Sequence, residues 1–220
     1  MLPSESMLNV IAAPGPVSYP MVAASSKYKD ITIDFGKEGK ADVILDSTVS
    51  LVKRGVRIDY ITIKGLMVVS PDVGRKIGVW RRGSAADVLT KALFHKKGIN
   101  GEIVYAEDMQ KLMELLNQRQ VESVVVPAPF GRGKTFEELL NVPGSCGASI
   151  LANHEEFVRA YSEGIDLMKE DPQGTAEYIA SRLPVQANKK MIVDLPRVTT
   201  LGVMKMDKYD EFENLVKRFL

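Results

Sequence analysis

Short apolar runs rich in β-branched residues alternate with amphipathic stretches along most of the chain. The runs at 8–13, 30–35, 41–46, 59–63, 76–80, 102–106, 123–128 and 148–152 predict strands. Several, such as VIL and VVV, are apolar almost throughout, the pattern of strands covered on both faces of a parallel sheet. Between them, 20–26 and 48–54 predict short helices. Residues 84–97 place Ala85, Val88, Leu89, Ala92 and Leu93 on one stripe and stop at Gly98. A capping aspartate opens 108–118, and 154–169, 173–182 and 208–220 complete the helices. Strand–helix alternation of this kind predicts right-handed βαβ units and an α/β fold.

The pattern breaks at 64–75, around Pro71-Asp72-Val73-Gly74, and again at Pro143-Gly144-Ser145-Cys146-Gly147. These breaks predict two lobes: residues 1–70 begin the first, 71–143 form the second, and 144–220 return to the first.

Composition narrows the chemistry. The chain has 220 residues, and 29 basic residues nearly cancel 28 acidic ones. Bulk charge therefore gives no reason to expect nucleic acid as a partner. One cysteine and two histidines predict no disulfide within the chain and no metal site. No run is long enough to predict membrane insertion, and the first residues lack a leader's apolar stretch, so a cytoplasmic protein without a cofactor is expected.

In open α/β sheets, ligands bind where strand ends lead into helix N-termini. Pro14 to Tyr19 predicts backbone amides with Pro16, Ser18 and an aromatic wall, Tyr19. Asp46, Ser47 and Thr48 predict a carboxylate and two hydroxyls. Arg81, Arg82, Gly83 and Ser84 predict cations, close backbone approach and a helix N-terminus suited to an anion. Phe130 offers a surface for a planar ligand. Each feature has a plainer counterpart: Ser84 and Asp46-Ser47-Thr48 as ordinary helix starts, the arginines solvated, the aromatics in the core. Trp80 is expected to pack between lobes, and Cys146, between small residues, to fill space rather than react.

Four segments together resemble the type II periplasmic-binding-protein superfamily, most nearly its sulfonate, nitrate and thiamine-precursor receptors. LNVIAAPGPVSYPMVAA is similar to their opening ligand loop, and ADVILDSTVSLVKRG to their second polar strand end. RKIGVWRRGSAADVLTKALFHKKGI resembles the start of their second lobe. CGASILANHEEFVRAYSEGIDLMKEDPQGTAEYIASRL resembles their return to the first. The resemblance implies two lobes of mixed, mostly parallel sheets flanked by helices, closing by a hinge on a small organic anion, with a transporter permease as partner. It implies a reduced branch related to solute-binding lipoproteins. Cytosolic enzymes of thiamine-precursor and menaquinone synthesis share the layout, so an enzyme on the same fold is the alternative, although no catalytic residue is assigned.

A further alternative is nucleotide binding. Ala128-Pro129-Phe130-Gly131-Arg132-Gly133-Lys134-Thr135 fits a relaxed P-loop pattern after a good strand, with MIVD at 191–194 as a supporting strand. Against it stand two prolines, a short following helix before Pro143 and little chain beyond.

Overall fold

The computed structural model describes residues 8–36, 39–207 and 209–220. Residues 1–7 and Lys208, where the last helix was expected to begin, lie outside the described residues. The chain starts with β1 (Leu8–Ala12), a 3-10 turn (Pro16–Ser18), α1 (Tyr19–Ser25), β2 (Ile31–Asp34), β3 (Val43–Ser47), α2 (Thr48–Lys53) and β4 (Tyr60–Lys64). It crosses over into β5 (Met67–Ser70), β6 (Lys76–Trp80), α3 (Ala85–Lys97), β7 (Glu102–Ala106), α4 (Met109–Asn117), β8 (Ser123–Pro127), β9 (Lys134–Thr135) and α5 (Phe136–Leu140). It returns through β10 (Cys146–Ile150), α6 (His154–Glu170), α7 (Pro172–Arg182), α8 (Lys189–Val198), β11 (Thr200–Lys205) and α9 (Asp210–Phe219).

These strands build two sheets, ordered β11-β4-β10-β3-β1-β2 and β7-β6-β8-β5-β9. The orders echo one another. β1 lies between β2 and β3 as β6 lies between β7 and β8, and the strand arriving from the other sheet, β10 or β5, runs antiparallel beside β3 or β8. Both crossovers leave the first sheet at the edge where β1 and β3 end. In the second sheet, Met67 pairs with Pro127, so they arrive at the edge where β6 and β8 end. The loops after β1, β3, β6 and β8 therefore face one another across the junction.

The apolar runs of the central strands are apolar because those strands serve two cores. On β3, Val43 and Leu45 face a core with Phe157, Tyr161 and α8's Ile192 and Leu195. Ile44 on the same strand faces the opposite side. That second core is shared between lobes: α2's Leu51 and Val52 join α3's Leu89 and Phe94, α5's Phe136 and α9's Phe212 and Val216. A smaller core of Leu112, Leu115, Val124 and Val126 packs α4 on the second sheet.

Two structural expectations change. Residues 191–194 lie within helix α8 rather than a strand, capped by the side chain of Asn188 on the amide of Met191. Trp80 does not pack between lobes: it is 45% exposed, donates to the Glu107 carbonyl at 3.0 Å, and lies under the Arg81 guanidinium.

Candidate functional site at the lobe junction

The loop after β1 is rigid because its own groups hold it. Ser18, fully buried, donates its hydroxyl to the Gly15 carbonyl at 2.8 Å. From α6, Tyr161 donates to the Val17 carbonyl at 2.9 Å, and burial pushes the Tyr161 phenol up from its ordinary pKa. Tyr161→Phe would leave that carbonyl without its donor, and a loss of about 1–3 kcal/mol in urea unfolding is expected. Pro16 is half-buried at the start of the 3-10 turn. Tyr19 is buried, its pKa pushed up to about 12 by desolvation, and its hydroxyl makes no hydrogen bond among the described residues.

The β3 end is occupied by its own polar groups. Asp46 accepts from the Ser47 amide at 2.8 Å and the Ser50 hydroxyl at 2.8 Å, with Arg54 3.3 Å away. Ser47 caps α2 by accepting the Ser50 amide. Thr48, 1% exposed, donates to the Gly144 carbonyl at 2.7 Å, tying α2 to the returning crossover. Nearby, the Ser145 hydroxyl donates to Glu137 at 2.7 Å and accepts the Leu66 amide at 3.3 Å, so both crossovers meet at one serine. The second oxygen of Glu137 is buried without a hydrogen-bond partner. Cys146 beside them is buried, and desolvation, then the Asp46 and Glu137 charges, push its thiol up, away from thiolate reactivity.

At the β6 end an internal carboxylate stands where an anion was expected. Asp87, buried in the first turn of α3, accepts the Gly83 amide at 2.7 Å, while Ser84 accepts the Asp87 amide at 3.3 Å. Burial alone would raise the pKa of Asp87, but the Gly83 amide, the Tyr105 hydroxyl and Lys91 hold it below the usual carboxylate range. Ser84 also donates to the Trp80 carbonyl, and Arg81 is exposed with Glu107 at 3.6 Å. Lys53 of α2 reaches the Gly83 carbonyl at 2.8 Å, a contact between lobes.

The β8 end forms open space. Ala128 to Arg132 and the C-terminal part of α8 line a cavity of about 400 Å³, with Phe130 in its wall. Arg132 and Arg197 supply cations, and Asp194 lies 3.5 Å from Arg197 and bonds to Lys190. Of the residues expected at the site, Phe130 lines this cavity; Pro16, Ser18, Tyr19, Asp46, Ser47, Thr48, Arg81, Gly83 and Ser84 do not. Sequence reasoning missed α8's contribution because 191–194 reads as a strand.

The P-loop pattern is not built as a phosphate cradle. Residues 128–130 form a 3-10 turn, Lys134 and Thr135 form β9 against β5, and Thr135 caps α5 by accepting the Glu138 amide. Gly133 serves a close approach: a Cβ there would lie 2.0 Å from the Val69 carbonyl oxygen.

Among the described residues there is no group of three or more potential metal ligands, and no helix is long and apolar enough to cross a membrane. No curated protein matches the sequence. Solved structures do match the fold. One, from Thermoplasma volcanium, is provisionally assigned as a nitrate transport protein; it is 22% identical with a TM-score of 0.75, over 97% of this chain and 93% of that one. A Candida albicans protein described as having the generic periplasmic binding protein fold is 16% identical, TM-score 0.56, over 97% and 89%. The alkanesulfonate-binding protein of Xanthomonas axonopodis pv. citri, bound to MOPS, is 14% identical, TM-score 0.55, over 98% and 91%. At these identities the likeness is one of fold, and it identifies the two-lobed, type II periplasmic-binding-protein-like architecture. The family described as proteins of unknown function, DUF3834, matches residues 7–202, and the chain belongs to that family.

Proposed function

We propose that the protein binds a small organic anion between its lobes, which close on it about the two crossovers. The observation that carries this reading is the cavity between the Ala128–Arg132 segment and α8, where each lobe supplies an arginine beside Phe130. A guanidinium presents a planar fork that matches a carboxylate or sulfonate, and Phe130 offers the apolar wall for the organic part. The shared fold supports the reading, because the Xanthomonas protein holds a sulfonate buffer. Pro16, Ser18, Tyr19 and the Arg81–Ser84 loop frame the junction in this reading rather than spending their polar groups on ligand. A transporter permease is the proposed partner.

Calorimetric titration with MOPS, methanesulfonate, benzoate and nitrate tests this, alongside native mass spectrometry for co-purified anions. Saturable binding is expected for at least one organic anion, weakened about ten- to hundred-fold in the Arg132→Ala/Arg197→Ala double variant, as for the loss of one or two charge-assisted bonds. A ligand-dependent fall in the radius of gyration in solution scattering would report closure. Unchanged affinity in the double variant would remove the proposed site.

A further inference from the structure

A larger space, about 520 Å³, lies away from the Phe130 cavity and shares no lining residue with it. Its walls come from α3, the edge strand β7 and the last turn of α9, with Phe94, Tyr105 and Phe219 supplying aromatic surface. Its polar groups are unevenly used. Lys91 is neutralised by the buried Asp87 at 3.1 Å, and Asp87 also takes the Tyr105 hydroxyl at 2.7 Å. Arg82 has no carboxylate partner among the described residues; its guanidinium sits 4.6 Å from the Tyr105 ring centroid. A guanidinium stacked by its face keeps its N–H edge for an anion. The side chain of Asn100 in the same wall makes no hydrogen bond among the described residues. Gly101 lets Phe94 lie flat against the backbone, since a Cβ there would come within 2.4 Å of the ring.

From the unpaired Arg82 fork, the free Asn100 amide and three aromatic walls around one space, we propose a second ligand site that takes a flat aromatic anion, such as an aryl carboxylate or aryl phosphate. The anionic group meets the edge of Arg82, a second polar substituent meets Asn100, and the ring lies among Phe94, Tyr105 and Phe219. Because α9 also packs on α2 of the other lobe, a ligand against Phe219 fastens the helix that joins the lobes. The site is independent of the Phe130 cavity and stands or falls separately from it.

The test uses the full chain, isotope-labelled, with benzoate and phenyl phosphate as probes and inorganic phosphate as the non-aromatic control. Saturable amide shifts are expected at Asn100, Gly101 and Tyr105, with inorganic phosphate at least tenfold weaker. Arg82→Gln, at an exposed position that leaves the core intact, is expected to weaken the aryl anions at least fivefold. Arg132→Ala/Arg197→Ala is expected to leave them unchanged. Hydrogen exchange across 210–219 is expected to slow on binding. Shifts confined to 128–132 and 194–198, equal binding of inorganic phosphate, undiminished binding in Arg82→Gln, or no saturation would each overturn the proposal.

Discussion

Gly164→Ala is expected to destabilise the protein by about 3 kcal/mol, the upper end of what overpacked cores lose. A Cβ at position 164 would stand 1.7 Å from the carbonyl oxygen of Pro20 and 2.5 Å from its carbon, so backbone meets backbone with no flexible side chain to yield. The two helices can make room only by separating. α1 buries Tyr19 to Ala24 almost completely, and Ala23, Ala24 and Ala160 belong to the same core. Separation therefore opens a gap along the whole contact and also shifts the Pro14–Ser18 loop that α1 follows. For a chain of this size the loss corresponds to roughly 6–12 °C in Tm. Gly202→Ala is the control: its Cβ would meet nothing closer than 3.7 Å, and a change within about 0.5 kcal/mol is expected. Urea unfolding of both variants checks the difference, and a neutral Gly164→Ala would mean that α1 and α6 are not in backbone contact.

Gly164 also marks where reading the sequence stops. Periodicity found the alternation of strands and helices because burial on both sheet faces writes itself into runs such as VIL at 43–45 and VVV at 124–126. It could not show which helix passes over which glycine, since that depends on contacts 144 residues apart, as between Pro20 and Gly164. α8 escaped because Pro196 looks like a breaker, although it sits near the helix end, and because Met191 to Val193 imitates a strand. β9 and β11 are short or bulged edge strands with little apolar pattern. The Arg81–Ser84 loop carried a legible signal that an anion reading overlooks. Ser84-Ala-Ala-Asp87 has the spacing of a capping box, and Asp87 takes the Gly83 amide that a ligand would otherwise want.

Phe212→Ala is expected to cost about 3–5 kcal/mol and to loosen the lobes as well as the helix that carries it. Phe212 is 4% exposed and Val216 is fully buried, in a core that contains α2 from one lobe and α3 from the other. Removing the ring leaves a cavity in the core that α2 and α3 share, so the loss is shared by both sides of the junction. The helix stands outside the stretch matched by the family, which ends at residue 202. It adds an apolar weld to the two crossovers. Unfolding in urea measures the stability term, and hydrogen exchange at the amides of α2 and α3 measures the looseness. Loss of stability with unchanged exchange in α2 would place α9 as an ornament of the second lobe alone; faster exchange in both helices is the result expected of a brace.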